Sequence, residues 1–354
     1  MSRVLVFLSR RVIAGFFTLF VMVTLTFVVF WATPTQPALN VYPDVSHLTP
    51  YKVTHGNHLL GTDRPKLEQY LDDVPRLFIG RFGTMWEDAQ ITPKQTLVEY
   101  PIAVFLDPAL RATLSLLVGG AVLVLLLAIP LGAFAGSRVG ALSDRTISLV
   151  ALIGICTHPM VTGILVRSLF HGRLHWLPPS GYCSLFKGSS TPCHGLVPWA
   201  DHLAMPWITF ALLFLALYVR MVRTSVAETL PQDYVRTARA KGAHELNVIG
   251  RHVLPNASLR VLTMIGMEVG TAIGVCIYIE AAYNINGLAS LAVRELSGNS
   301  GALDLPVILG IVFVISAIVV AGNLIVDTLY VFFDPRASII GPRVQTKAAA
   351  GGVI

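Results

Sequence analysis

The side chains best able to do chemistry in this chain are scattered rather than gathered into one catalytic set. Ten histidines are spread along the sequence, and no HExxH, GxSxG or DxD cluster is present. Catalytic and metal sites need such groups at fixed spacings, because the side chains must converge on one atom. The sequence therefore predicts no metal site and does not favour catalysis, although a membrane-embedded enzyme stays open as an alternative.

Four polar side chains stand out because they lie inside long apolar runs or at their ends: His158, Glu268, Glu280 and Asp327. A charge at the centre of a bilayer costs roughly 2.5–3.5 kcal/mol, so it must face other helices or a water-filled path. His158 precedes Pro159, a pair typical of a helix kink. Asp327 is expected to pair with an arginine. For Glu280, a gate, a contact with a binding protein and a solvated carboxylate remain open.

The four cysteines fall into two groups. Cys156 and Cys276 lie within apolar runs and are expected to be buried. Cys183 and Cys193 share the polar stretch "GYCSLFKGSSTPCHG". No CxxC pair is present, which disfavours zinc. A disulfide between these two is possible if their loop lies outside the cytoplasm, and two free thiols remain the alternative.

One basic segment, "DYVRTARAKGAHELNVIGRHVLPNA", lies between two apolar runs at residues 233–257. Asp233 is predicted to cap a short helix over Tyr234–Lys241, because its side chain can accept a hydrogen bond from a first-turn N–H. Gly242 is predicted to end this helix. The pattern indicates a helix, a break and a second helix, which is a fixed shape rather than a loose connector.

The second helix of this segment is predicted to start near Ala243 or His244, and Pro255 to close the segment. Its charge alone is typical of a cytoplasmic loop that faces anionic headgroups. Its length and punctuation instead favour an element that docks in the groove of a partner protein. Charge by itself does not decide between these two hypotheses.

The elements that must position these residues are membrane helices. The chain is 54% hydrophobic and 13% charged, whereas soluble domains are about 25% charged. The net charge of +6 is therefore interpreted as headgroup contact and not as nucleic-acid binding. A crossing needs about 20 apolar residues. Six stretches qualify: 12–32, 112–136, 146–170, 205–222, 259–282 and 305–333.

The density of Lys and Arg in the connections predicts the orientation, with both termini cytoplasmic. The external segments are then 34–110, 171–204 and 283–304. The first of these is predicted to hold one or two short helices lying over the membrane face. The resulting organisation is an N-terminus and first helix (1–33), an external segment (34–110), a core (111–335) that includes the cytoplasmic loop 223–258, and a tail (336–354).

Several stretches resemble the dipeptide/oligopeptide/nickel family of ABC-importer permeases, in its B-type component. "DYVRTARAKGA…RHVLPNA" is similar to the cytoplasmic EAA loop of that family. "LGTDRPKLEQY", "LHWLPPSGY" and "NLIVDTLYVFFDPRASI" resemble its other landmarks in the same order. The resemblance implies an all-α integral membrane protein with six transmembrane helices and the type I ABC-importer permease fold. It also implies a multi-pass location in the bacterial cytoplasmic (inner) membrane.

The chain departs from the family pattern at a few positions. Arg236, Thr237 and Ala238 stand where the general EAA motif has Glu-Ala-Ala, as in the peptide branch. Arg81 stands where the family has an acidic residue, and Asn286 where it has proline. The cargo that the resemblance implies is a di- or oligopeptide. Nickel, another small solute and an ATP-independent channel remain alternatives.

The resemblance also implies partners. These are a homologous second permease (forming a heterodimer), two ATPase domains or subunits, an external substrate-binding protein and the lipid bilayer. The sequence contains no GxxxxGK[ST] phosphate loop, so ATP and Mg²⁺ are expected on the ATPase partners, with no cofactor on this chain.

Site residues follow from the same resemblance. The ATPase-coupling set is Asp233, Tyr234, Arg236, Thr237, Ala238, Arg239, Lys241, Gly242 and Glu245. Candidates for the translocation pathway or gate are His158, Pro159, Glu268, Glu280 and Asn284. The C-terminal structural signature is Asp327, Tyr330, Asp334, Pro335 and Arg336.

Overall fold

The computed structural model describes residues 2–33, 36–42, 49–86, 100–178, 181–185, 192–193, 195–297 and 303–333. Three of the predicted signature residues, Asp334, Pro335 and Arg336, lie outside this part of the chain. The described residues form α-helices joined by short 3₁₀ and π turns, with only isolated β-bridges. The all-α prediction is therefore confirmed for them.

Five helices are long and apolar enough to cross a membrane. They are α1 (Ser2–Ala32), α4 (Ala103–Ser137), α7 (Leu196–Thr229), α10 (Leu254–Tyr283) and α12 (Leu305–Phe333). Between α1 and α4 lie two shorter helices, α2 (Pro50–Leu59) and α3 (Lys66–Phe78). Five of the six predicted spans thus appear as single helices.

The third predicted span, 146–170, is not one helix. It is divided into α5 (Leu142–Cys156) and α6 (Pro159–Arg167), and a π turn follows over Ser168–Arg173. Thr157 and His158 are extended, with ψ of 140° and 136°. Proline disfavours helical geometry in the residue before it and provides no N–H for the helical ladder. Pro159 therefore ends one helix and begins the next.

Helix α7 is the centre of the bundle and packs against α4, α5, α6 and α10. Small residues on α4 allow this helix to approach α7 closely. A Cβ atom at Gly136 would lie 2.6 Å from the carbonyl oxygen of Arg223 on α7, and one at Gly132 would lie 2.6 Å from Cβ of Val222. Such contacts between helix backbones and small residues are the usual means of packing in membranes.

Ion pairs join the ends of the long helices. Arg11 on α1 contacts Asp327 on α12, with 3.2 Å between Nε and Oδ2, so the predicted arginine partner of Asp327 is Arg11. Arg223 on α7 binds both carboxylate oxygens of the buried Asp144, in the first turn of α5. Asp144 also accepts a hydrogen bond from the N–H of Gly140 at 2.9 Å. The contacts of Asp144 with Arg223 and Gly140 fix the link between α4 and α5 against α7.

The segment between α1 and α4 contains short helices, as predicted, but α3 does not lie across the end of α1. The hydroxyl groups of Tyr70 on α3 and Thr24 on α1 are 2.7 Å apart. The rings of Phe78 and Phe16 are 4.8 Å apart between their centres. Helix α3 therefore runs alongside α1 rather than across its end, which differs from the expected arrangement.

Candidate functional site

The basic segment between α7 and α10 forms a helical hairpin with α8 (Asp233–Ala240) and α9 (Glu245–Val248). The N-cap position of α8 is Gln232, which has extended backbone and no side-chain capping bond. The prediction that Asp233 caps the helix is wrong, because Asp233 already has helical backbone as the first residue. Its carboxylate still lies at the positive end of the helix dipole, where acidic side chains are favoured.

Gly242 ends α8 through its backbone conformation, as predicted. Its φ is +81°, and its N–H donates to the carbonyl of Arg239 at 2.9 Å. The N–H of Ala243 reaches back to the carbonyl of Ala238 at 3.3 Å. These two bonds are those of a Schellman motif, which satisfies the last carbonyls of a helix and favours glycine at the left-handed position.

A bidentate ion pair closes the hairpin across this glycine. Arg239 donates to both carboxylate oxygens of Glu245, at 2.6 and 3.1 Å. These hydrogen bonds lower the pKa of Glu245 below its ordinary value. Both residues were predicted to contact an ATPase, yet here they bind each other. The pair therefore sets the angle between α8 and α9.

The underside of the hairpin is apolar. Val235 on α8, Val248 on α9 and Val253 in the following π turn are each 0% exposed, in the same core as Val226 on α7. The hairpin is thus packed onto the ends of the long helices. The sequence prediction missed Val235, although a valine between polar neighbours in an amphipathic helix is the expected signal of an inward face.

A polar contact joins α8 to the start of α10. The side-chain amide of Asn256 donates to the hydroxyl of Tyr234 at 2.6 Å, and to the carbonyl of His252 at 3.4 Å. Tyr234 belongs to the predicted ATPase-coupling set, and the residue remains 44% exposed. Asn256 was not predicted, because no pattern in the sequence indicates a contact 22 residues away.

The outer face of the hairpin combines charge with one large apolar side chain. The side chains of Arg236 and Lys241 are exposed and form no hydrogen bond or ion pair with the residues that the structure describes. Leu246 on α9 is 73% exposed. Thr237 is also exposed, and its hydroxyl donates to the carbonyl of Asp233 at 2.9 Å. Such a surface can bind a partner groove that offers acidic and apolar groups.

Glu280, at the end of α10, is fully buried rather than solvated. Its Oε1 accepts from the Thr113 hydroxyl on α4 at 2.6 Å, and its Oε2 accepts from the Ser290 N–H at 2.8 Å. Ser290 is in the first turn of α11 (Leu288–Ser297), the amphipathic helix that follows α10. The alternative of a solvated carboxylate is therefore wrong, and Glu280 joins three helices.

The other pathway candidates do not converge on one point. His158 caps α6 by accepting from the N–H of Met160, and its ring stacks edge-on against Tyr278 of α10 at 4.7 Å. Glu268 lines an apolar cavity of about 580 Å³ between α4, α7, α10 and α12. Asn284 follows α10 in a left-handed conformation, with φ of +51°. The structure therefore gives these polar side chains separate surroundings.

The loop that follows α6 is closed by a disulfide between Cys183 and Cys193, whose Cα atoms are 5.1 Å apart. The N–H of Gly181 donates to the carbonyl of Tyr283 at 3.0 Å, which ties this loop to the end of α10. Cys276 is free and buried. Within the described ranges, no group of three or more His, Cys, Asp or Glu residues could hold a metal ion.

Two family profiles match this chain. Residues 128–339, more than half of the sequence, match the profile described as "Binding-protein-dependent transport system inner membrane component". Residues 4–91 match the N-terminal profile of the same membrane components. The first match covers the α8–α9 hairpin and the helices that carry it.

Curated relatives align along most of the chain. A putative peptide permease protein of Brucella ovis is 32% identical over 332 residues, which are 93% of this chain and 98% of the relative. The dipeptide transport system permease protein DppB of Escherichia coli is 31% identical, over 81% of this chain and 84% of its own length. The oligopeptide transport system permease protein AppB of Bacillus subtilis is 29% identical over 93% of this chain and 98% of its own.

A solved structure shares the fold. It is a chain of the MetNI methionine ABC transporter in an inward-facing conformation, with a TM-score of 0.51 and 16% identity. The likeness covers 67% of this chain and all of that chain. Together with the family profiles and the long apolar helices, these findings establish that the chain belongs to the family of binding-protein-dependent inner membrane components, as a multi-pass permease subunit of an ABC importer and not an enzyme.

Proposed function

We propose that this chain imports di- and oligopeptides as one of two homologous permease subunits that together form the translocation pathway. The names of its relatives from Brucella ovis, Escherichia coli and Bacillus subtilis support the cargo. An external substrate-binding protein delivers the peptide. ATP and Mg²⁺ are bound by two ATPase partners, since the chain contains no phosphate loop.

The α8–α9 hairpin is the element that couples to the ATPase, and its construction carries the proposal. A Schellman turn, a bidentate ion pair and a buried valine underside hold it as one rigid unit. Its outer face presents Arg236, Lys241 and Leu246 to a partner. Closure of the ATPases would push this unit and, through it, the ends of α7 and α10. Rigid-body rocking of those helices gives alternating access.

The topology that we propose has six crossings, with both termini and the hairpin in the cytoplasm. Helices α5 and α6 together make the third crossing. Their 15 and 9 residues span roughly 36 Å at 1.5 Å per residue, and the hydrocarbon core is about 30 Å thick. A broken helix is acceptable at membrane depth where neighbouring helices cover it. The segment 34–110 then lies on the external side.

The second permease is expected to meet an open face of α10. Thr263, Met267, Gly270, Gly274 and Tyr278 are exposed at helical spacing along it. A Cβ atom at Gly270 or Gly274 would have no neighbour within 4 Å. Small residues four apart allow a second helix to approach closely. We therefore propose this face as the subunit contact and one wall of the pathway.

Co-purification and transport test the proposal together. Leu246→Asp combined with Arg236→Glu should release the ATPase from the detergent-solubilised complex and abolish uptake of a labelled dipeptide. Leu296→Asp, at a similarly exposed leucine on α11, should keep the ATPase bound. Retention of the ATPase by the hairpin variant would contradict the coupling role. Accumulation of labelled nickel in place of the dipeptide would contradict the proposal that the cargo is a peptide.

A further inference from the structure

Helix α3 lies at an unexpected depth beside the first membrane helix. Near its start, the Lys66 ammonium sits 2.9 Å from the centre of the Trp31 ring, next to the end of α1. One turn later, Tyr70 bonds to Thr24. At its end, Phe78 contacts Phe16 on α1. The contacts therefore move steadily along α1, away from Ala32 and into its apolar run.

The depth can be bounded from both neighbouring helices. The Phe78 ring is also 5.3 Å from that of Phe313 on α12. Counted at 1.5 Å per residue, Phe313 is about 12 Å from the Leu305 end of α12, and Phe16 about 24 Å from the Ala32 end of α1. Half of the hydrocarbon core is about 15 Å. With the Leu305 and Ala32 ends placed at the membrane surface, Phe78 therefore lies at the level of the membrane interior.

After α3 the chain turns and returns. Gly80, with φ of +76°, ends the helix, and its N–H donates to the carbonyl of Leu77 at 3.0 Å. This bond, and one from the Arg81 N–H to the Arg76 carbonyl at 3.0 Å, satisfies the last turn of the helix. The Trp86 N–H then donates at 2.5 Å to the carboxylate of Asp304, directly before α12 begins. Residues 66–86 thus descend and come back to the same side.

The outward face of this descending helix is apolar. Leu67, Leu71 and Ile79 are 68%, 59% and 67% exposed, and Pro75 between them is exposed too. They recur every four residues and so form one stripe. Water would not favour such a stripe at the surface, whereas acyl chains would. Helix α1 also has exposed apolar side chains, and Leu25 is one of them.

Beyond the first turn of α3, where Glu68 is exposed, the charged side chains line a cavity. Asp72 pairs with Arg64 at 3.2 Å and with Arg76 at 3.9 Å. These three line a cavity of about 570 Å³ that is bounded by the start of α12 at Pro306 and Leu309. Ionisable groups at membrane depth are tolerated when they pair and face a cavity. Beyond its first turn, the helix therefore has an apolar face and a polar face that borders this cavity.

We propose that residues 66–86 form a re-entrant hairpin, and that the stripe of Leu67, Leu71, Pro75 and Ile79 contacts lipid acyl chains. The membrane leaflet that it enters follows from the orientation proposed above and is then the outer one. The depth of the hairpin does not depend on that orientation.

Collision measurements with spin labels test this proposal in the assembled importer, reconstituted into liposomes. Labels are attached to cysteines that replace Leu67, Leu71 and Ile79. Leu25→Cys on α1 gives the lipid reference and Thr54→Cys, exposed on α2, gives the aqueous reference. Labels at 71 and 79 should collide with oxygen as often as the Leu25 label, and with a water-soluble nickel chelate several-fold less often than the Thr54 label. The depth parameter should rise from 67 to 79.

Two results would overturn the proposal. Nickel-chelate collisions at 71 and 79 equal to those at Thr54 would show that the stripe faces water. Protection from both oxygen and the chelate would show that protein covers it. Because neither reagent reports which side of the membrane is cytoplasmic, either failure leaves the proposed permease role and orientation to be tested separately.

Discussion

At the scale of single residues, backbone conformation distinguishes two glycines of the same cytoplasmic segment. Gly242 has a φ of +81°, while Gly250, eight positions later, has no positive φ and open space around its Cβ position. A non-glycine residue in the left-handed region costs roughly 1–2 kcal/mol. The first glycine therefore defines the hairpin, and the second does not.

Gly242→Val should abolish or strongly reduce uptake of a labelled dipeptide while the protein still reaches the membrane. The branched side chain disfavours the positive φ that sets α8 against α9. Gly250→Val is the matched control and should keep most of the uptake. Immunoblots of membrane fractions and uptake assays measure the two effects, and equal rates for both variants would contradict the assignment.

The ion pair between Arg239 and Glu245 allows a charge-exchange test. Arg239→Glu alone should weaken uptake, because two carboxylates then face each other across Gly242. Exchanging both residues, Arg239→Glu with Glu245→Arg, should restore much of the uptake if the pair acts within the hairpin. Failure of the exchange to restore uptake would instead indicate that Arg239 contacts the ATPase directly.

At the scale of elements, the end of α10 is held by a carboxylate rather than by apolar packing alone. Glu280 takes hydrogen bonds from α4 and from the first turn of α11. Thr113 adds to this junction by accepting from the N–H of Leu288 at 2.8 Å. Gly287 packs directly against the carboxylate, where a Cβ atom would clash. The loop between α10 and α11 is therefore fixed by polar contacts at one point.

Glu280→Leu should lower the melting temperature of the detergent-solubilised protein clearly, whereas Glu280→Gln should lower it less. A buried donor that loses its acceptor costs about 1–3 kcal/mol, and leucine leaves the Thr113 and Ser290 donors without one. Glu268→Leu is the control on the same helix, and it should be neutral because Glu268 borders an apolar cavity. Equal melting temperatures for the two leucine variants would contradict the anchoring role.

At the scale of the whole molecule, two ion pairs connect helix ends that lie on one side of the proposed topology. Arg11 with Asp327, and Arg223 with Asp144, connect helix ends that the proposed topology places in the cytoplasm. In that proposed topology, α5 and α6 together count as one crossing, so the number of crossings is even and both termini share the side of the α8–α9 hairpin.

Thiol labelling of right-side-out vesicles checks this orientation. Lys241→Cys in the hairpin should react with a membrane-impermeant maleimide only after permeabilisation, because the membrane separates it from the reagent. Thr54→Cys on α2 should react without permeabilisation. The parent protein serves as the background for its native cysteines. The opposite pattern would reverse the topology.

The sequence by itself determined the class of the protein. Apolar composition and run length identify membrane helices, because a bilayer leaves few other solutions, and five of the six predicted spans are single helices. Motif spacing located the hairpin and its glycine, and the family resemblance is confirmed by the profiles and relatives. These features depend on local sequence or on patterns shared by whole families.

Tertiary structure alone decided which side chains meet. Arg239 binds Glu245, Asn256 binds Tyr234 and Glu280 holds α11, because backbone turns and helix packing bring distant residues together. It also showed that α3 runs along α1, because aromatic and hydroxyl contacts join the two helices. Periodicity reports which face of a helix is apolar, but not whether lipid, protein or water covers that face.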